Sequence, residues 1–288
     1  MRWLCLLLIM FSASALADVA TPADVAKRIV ALSPHTVELL YAIGAGEEII
    51  ATTDFANYPD AAKQIPRIGG NYGVQLDKLL ALSPDLVVVW GDGNQAQDIA
   101  RIRQLGLPLY ISAPHTLQDV TKDLLQLGKL TGHEAKAAQV AATYQRQLQA
   151  IQQHNASKTP VKVFYQLWSN PLMTVANGSW MQQLLQVCRG DNVFADAATA
   201  YPQVSLEAVL MRQPQVIIKT AETGNPQSLN WQQWPEIPAV KNQQIYTIDA
   251  DLLQRPTPRL VQGLTQLCQV LDRARSNHHS VLSGQPAQ

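Results

Sequence analysis

The stretch Gly73-Val-Gln-Leu-Asp-Lys-Leu-Leu-Ala-Leu-Ser-Pro-Asp-Leu-Val-Val-Val-Trp90 returns in degenerate form 130 positions later as Gln203-Val-Ser-Leu-Glu-Ala-Val-Leu-Met-Arg-Gln-Pro-Gln-Val-Ile-Ile-Lys-Thr220. Each copy holds a short helical pattern, a proline turn and an uninterrupted apolar run of the kind that forms a buried strand. Two copies predict two related α/β lobes, each with an acidic residue near its start, Asp77 and Glu207. The likeness is loose, and both duplication and chance similarity of two helix–strand units accommodate it. Matched carboxylates on two lobes suit a carrier better than a single-site enzyme.

Outward from the repeat, strand-like and helical runs alternate. Residues 28–32, 48–52, 86–90 and 107–112 read as strands. Ser33-Pro-His-Thr36 opens a helix with Val37, Leu40, Tyr41 and Ile43 on one face, ended by Gly44 and Gly46, and residues 96–104 form another helix, rich in Gln and Arg. Ala137, Val140, Ala141, Tyr144, Leu148 and Ile151 recur at helical spacing, so one long helix over 134–153 is expected. Such a connector permits small hinge motions rather than free rotation. Strands at 161–167 and 244–248 and a helix at 181–187 complete the second half. The expected fold class is α/β, two parallel-sheet lobes joined by one long rigid helix with a ligand cleft between them. The boundaries are an N-terminal lobe at 18–132, the connecting helix at 133–158, a C-terminal lobe at 159–274 and a disordered tail at 275–288, where apolar periodicity is lost.

The first residues address the compartment. Met1-Arg-Trp, an apolar run from Leu4 to Ala13 and the small-x-small Ala15-Leu-Ala17 read as a signal peptide at 1–17, cleaved after Ala17. The run is short for a membrane span. Export leaves Cys188 and Cys268 in an oxidising space, where one disulfide is the natural reading and two buried thiols the alternative. The full chain carries 22 basic and 22 acidic residues, so nothing in its charge draws it to nucleic acid or anionic lipid.

Ligands of parallel sheets sit beyond the carboxyl ends of strands. Large flat side chains stand there: Phe55 after the second strand, Trp90 closing the third and Trp168 after the first strand of the second half. Tyr72 and Tyr201 precede the two repeat helices, and Asp251 and Arg255, four apart, follow the last strand or form a surface ion pair. Trp231 and Trp234 read as packing residues. Few charges among flat side chains suit a large, flat, mostly uncharged ligand held by stacking. The chain has no Gly-x-Ser-x-Gly elbow, glycine-rich phosphate loop or His-Glu-x-x-His. No histidine lies between His154 and His278, so only His35 and His115 are possible metal ligands near the cleft, both from the first lobe.

Ile29 to Leu39 onward through Gly44, Tyr58-Pro59, residues 79–90, 184–190 with Asn192-Val-Phe194, Pro202-Gln-Val-Ser205, and 255–259 with Cys268 resemble the family of periplasmic cobalamin-binding proteins of ABC importers. The resemblance covers about residues 28–272. It implies a corrinoid carried as ligand, with no cofactor and no resident metal, surrounded by Phe55, Trp90, Leu167, Met173, Tyr201, Asp251 and Arg255; Tyr72 and Trp168 join them as ligand-binding candidates from their places at the repeat head and the strand end alone. It further implies that Asp77 and Glu207 dock on arginines of the membrane permease, that Cys188 and Cys268 pair, and that the protein is a monomer that is not an enzyme. This chain departs from the pattern at Asn71, where the family has tryptophan, and at Leu167 and Met173, aromatic positions elsewhere, while Trp168 is an addition. A haem or ferric-siderophore carrier of the same superfamily is the alternative.

Overall fold

In the computed structural model, which describes residues 25–220 and 229–283, the apolar runs become the inner strands of two four-stranded sheets. The first lobe comprises β1 (Ile29–Ala31), α1 (Pro34–Ile43), β2 (Ile49–Thr52), the hairpin β3 (Gly69–Gly70) and β4 (Gly73–Val74), α2 (Leu76–Ala81), β5 (Leu86–Trp90), α3 (Ala96–Gln104), β6 (Leu109–Ser112) and α4 (Asp119–Thr131). After α5 (Glu134–Asn155) come β7 (Val161–Gln166), the hairpin β8 (Trp168–Ser169) and β9 (Leu172–Met173), α6 (Trp180–Val187), β10 (Gly190–Asn192) and α7 (Leu206–Arg212). β11 (Val216–Thr220), α8 (Pro238–Lys241), β12 (Ile245–Ile248), α9 (Ala250–Gln254) and α10 (Leu260–Ser283) close the fold.

The sheets run β2-β1-β5-β6 and β10-β7-β11-β12, every pairing parallel. Counted within its own lobe, each has the order second, first, third, fourth. The repeated segments therefore occupy equivalent places, α2–β5 and α7–β11, anchored by the fully buried Leu79 and Val209. Strand β5 is apolar throughout because both of its faces are covered: Val87 and Val89 pack with Leu79 and Ile102, Val88 with Leu40 and Leu124.

Helix α5 is more than a spacer. One apolar cluster runs from Ile29 of β1 through Tyr144 and Leu148 of α5 to Val163 and Ile218 in the second sheet, and the Tyr144 hydroxyl donates to Leu117 O at 2.8 Å. A core continuous across both lobes resists independent rotation of either.

Besides the two short hairpins and helices α8 and α9, strand β10 and the last turns of α10 escape the sequence pattern. Strand β10 is Gly-Asp-Asn, without apolar alternation; it exists because its main chain pairs with β7 and because Asn192 donates to Val175 O and Gln182 Oε1. Residues 275–283, expected to be disordered, instead continue α10. Arg275 tethers this turn by donating to Thr159 O at 2.6 Å and Cys188 O at 2.7 Å and by pairing with Asp272. Residues 1–24, with the expected signal peptide at 1–17, and 284–288 lie outside the described residues. Cys188 at the end of α6 is bonded to Cys268 of α10, with Cα atoms 4.7 Å apart.

Helices α9 and α10 cross at Gly263, where an added Cβ would lie 2.6 Å from Leu252 O. Gly263→Ala is expected to cost ~1–3 kcal/mol by overpacking against backbone, read as a shifted urea midpoint. A midpoint equal to that of the parent would show that the contact is not tight.

Candidate functional site

In each sheet the strand order reverses between its first and third strands, β1/β5 and β7/β11, and open parallel sheets form their ligand crevice outside the carboxyl ends at such a point. The two crevices meet. Trp90, Asp92 and Pro114 of the first lobe and Trp180, Met181, Tyr201, Gln254 and Pro256 of the second enclose about 320 Å³. A larger cavity of about 740 Å³, with Lys162, Lys241 and Arg275 among its walls, lies at the amino ends of β7 and β11. It belongs to one lobe and to the wrong edge of the sheet, so the interlobe cavity is the candidate site.

Among the described residues, the exposed Phe, Tyr and Trp side chains are Phe55, Tyr58, Tyr72, Trp168 and Tyr201. All five sit in connections leaving the carboxyl ends of strands: Phe55, Tyr58 and Tyr72 after β2, Trp168 after β7 and Tyr201 after β10. Phe55 and Tyr72 are the most exposed, at 67% and 70%. Phe55 holds a φ of 64°, and Trp168 is steadied by its indole N–H donating to Asn170 O at 2.9 Å. Leu167 and Met173 are half-buried at the root of the second-lobe hairpin, joined by the Leu167 amide and the Met173 carbonyl. Asn71 is exposed beside Tyr72.

Trp90 is held from three sides. Its amide donates to Asn94 Oδ1 at 2.7 Å, Asn94 in turn donates to Leu32 O, and the His35 ring meets the indole edge-on at 5.2 Å. Gly93 lies so close beneath the indole that a Cβ would overlap it at 1.9 Å.

Beneath Trp90 runs a buried relay that the sequence did not announce. Ser112 donates to Asp123 Oδ2 at 2.6 Å, so its oxygen must accept from His35 Nε2–H at 2.9 Å, which leaves Nδ1 to accept from Ser33 Oγ at 3.1 Å. Tyr110 donates to the other oxygen of Asp123. Both ring nitrogens of His35 are thus committed, and it is a cleft-floor residue rather than a ready metal ligand. Burial first, and the Arg255 charge second, push its pKa down to about 3. Unfolded, the imidazole binds a proton below about pH 6.5; folded, it does so only near 3, so stability is lost as pH falls across that window. His35→Gln should flatten the acid limb by about one proton in denaturation series from pH 7 to 4. An unchanged slope would mean that the folded imidazole protonates normally.

His115 is exposed, with Nδ1 3.5 Å from Asp92 Oδ2. Its carbonyl accepts from Gln183 across the lobes at 2.7 Å. No group of three or more potential metal ligands occurs among the described residues. Trp231 is core, as expected, donating to Gln166 Oε1 at 2.6 Å.

Asp251 and Arg255 do pair, at 2.7 Å, yet not as an exposed surface couple: Arg255 is buried and also bonds Glu38, Asn57 and the Phe55 carbonyl. Glu38, Tyr58 and Arg259, which share this cluster, carry no local sequence signal as site residues. Only the meeting of α1 with the segment between α9 and α10 reveals them.

Asp77 and Glu207 lie in the first turns of α2 and α7, both exposed. Helices that return from a strand's carboxyl end start at that edge, so one carboxylate flanks the cleft on each lobe. The backbone amide and Ser205 hydroxyl hold Glu207 below the usual carboxylate range.

The periplasmic binding protein family model matches residues 29–252. The vitamin B12-binding protein of Vibrio cholerae is 36% identical over 251 residues, covering 87% of this chain and 91% of its own. That of Vibrio vulnificus is 33% identical over 270 residues, covering 93% and 96%. The crystal structure of the periplasmic vitamin B12 binding protein of Vibrio cholerae superposes with a TM-score of 0.81 at 35% identity over 87% of this chain and 98% of that one. A periplasmic heme-binding protein from Roseiflexus shares the fold, with a TM-score of 0.76 at 24% identity, covering 86% of this chain and 98% of that one.

Proposed function

The chain belongs to the periplasmic binding protein family, and from that premise we propose that it captures cobalamin or a related corrinoid between its lobes and hands it to an ABC importer. The observation that carries the ligand class is the placement of every exposed Phe, Tyr and Trp among the described residues on the carboxyl edges of the two sheets. Of the five only Tyr201 lines the interlobe cavity, together with Trp90; the other four stand on the same edges of the sheets, and exposed aromatic area on such a rim suits a wide, flat ligand like a corrin ring. Phe55, Tyr72 and Trp90 contact the ligand from the first lobe, and Leu167, Trp168, Met173, Tyr201 and Asp251 from the second. Arg255 contributes through the groups it holds. Trp168 supplies flat area where Leu167 and Met173 replace aromatic residues.

The protein is exported with cleavage after Ala17, works as a monomer in the periplasm and performs no chemistry on its cargo. Asp77 and Glu207 engage cationic residues of the permease.

Calorimetric titration of residues 18–288 with cyanocobalamin, with haemin and a ferric siderophore as comparisons, tests the reading. One saturable site for cobalamin alone is expected. Cobalamin without heat, together with haemin binding and a shifted Soret band, would replace the corrinoid by haem and make Tyr72 or Tyr201 the candidate iron ligand. Trp90→Ala should weaken cobalamin binding about tenfold or more, the worth of one stacking contact at ~1–3 kcal/mol. An unchanged Kd would remove Trp90 from the contact surface.

A further inference from the structure

We propose that Glu38 is a positioning residue for the ligand cleft: through Arg255 and Arg259 it couples the orientation of the two lobes to the placement of Phe55. The proposal rests on the reading of Phe55 as a ligand contact.

Glu38 sits on α1 between Val37 and Leu39, both fully buried, and its own side chain is 2% exposed. A carboxylate in that position is tolerated only when it is paired and fully hydrogen-bonded. Its partners come from the other lobe. Arg255 Nη1 donates to Oε1 at 2.8 Å, while Arg259 grips the group with two donors, Nε to Oε2 at 2.8 Å and Nη2 to Oε1 at 2.6 Å. Burial works against the charge on Arg259, but the hydrogen bond and field of Glu38 outweigh it. With Asp251 on Arg255 Nη2 at 2.7 Å, two guanidinium groups balance two carboxylates.

A brace between lobes needs no more than the Arg259 fork. Arg255 does something further: Nη1 also donates to Asn57 Oδ1 at 2.7 Å and Nη2 to the Phe55 carbonyl at 3.1 Å. Phe55 holds a φ of 64°, a left-handed conformation that is an outlier for a bulky residue and needs outside support. The loop is seized at two more points, since Asn57 Nδ2 donates to Asp251 Oδ2 at 3.1 Å and the Arg259 guanidinium lies 3.6 Å from the Tyr58 ring centroid. The aromatic rim of the first lobe is therefore shaped by cations of the second, and Glu38 fixes both cations. A shift between lobes that breaks this hub releases Phe55.

The test uses the three phenylalanines of residues 18–288, which are Phe55 in the loop and Phe164 and Phe194 in the second-lobe core. In protein labelled with 4-fluorophenylalanine and free of ligand, Glu38→Gln should move the Phe55 fluorine resonance toward the free amino acid and leave the other two in place. In cobalamin titrations, Phe55→Ala should cost about tenfold in the parent and less than about twofold in the Glu38→Gln background, a coupling that a merely structural role would not produce. Should Glu38→Gln fail to fold, Arg255→Gln, which leaves the Arg259 fork on Glu38, must show the same fluorine shift. An unmoved Phe55 resonance, or multiplicative costs in the double variant, overturns the proposal. If the parent binds no cobalamin, the corrinoid reading fails and the fluorine measurement still decides the positioning.

Discussion

Reversal of both helix-start carboxylates, Asp77→Arg with Glu207→Arg, is expected to abolish permease-dependent uptake while the Kd for cobalamin stays at the parent value. Both groups are exposed, both occupy first turns, and the helices that carry them pack through Leu79 and Val209 on the opposite face, so the substitutions leave the core alone. Close charge pairs at protein interfaces couple by ~1.5–7 kcal/mol, and reversal turns each attraction into repulsion, so stimulation of the reconstituted permease should fall more than ~100-fold. Calorimetry and transport on the same preparations separate the two readouts. Uptake near the parental rate would remove both residues from the docking surface. A raised Kd would mean that they act on the cleft.

Opening the cross-link is expected to have the largest effect on stability. Cys188 and Cys268 are 80 residues apart in sequence, and freeing a loop of that length in the unfolded chain corresponds to ~4 kcal/mol by the chain-entropy account. At ~2–4 °C per kcal/mol for a chain of this size, Cys188→Ser with Cys268→Ser should melt about 10–15 °C lower. The bond also fixes α10 against α6, and α10 begins beside Arg259, so loosening it should weaken the Glu38 hub and binding at 37 °C before global unfolding. Differential scanning of oxidised and reduced parent protein checks this without mutation. A drop of a degree or two would show that α10 is held chiefly by its apolar face and by Arg275.

The inner strands and the helices over them were legible because each obeys a local rule. Buried parallel strands need continuous apolar runs, as in 86–90 and 216–220, and a long amphipathic period marks α5. Strand β10 was not legible, since Gly-Asp-Asn enters the sheet through main-chain pairing with β7. Nor was the helical continuation past Arg275, because its tethers are carbonyls of Thr159 and Cys188, far off in sequence.

The same division runs through the candidate site. Sequence alone determined the two-lobed plan, the aromatic character of the strand ends and the matched acidic residues, because periodicity, residue type and spacing are local properties; for the two cysteines it left both a disulfide and two buried thiols open, and the structure bonds them. Only the tertiary structure decided that Arg255 is a buried interlobe strut, that Glu38 is its partner 217 residues away, and that His35 is locked beneath Trp90 by Ser112 and Asp123. The energies of charged and hydrogen-bonding groups depend on which partners and how much water lie within a few ångströms, and chain order does not encode that until the lobes have met.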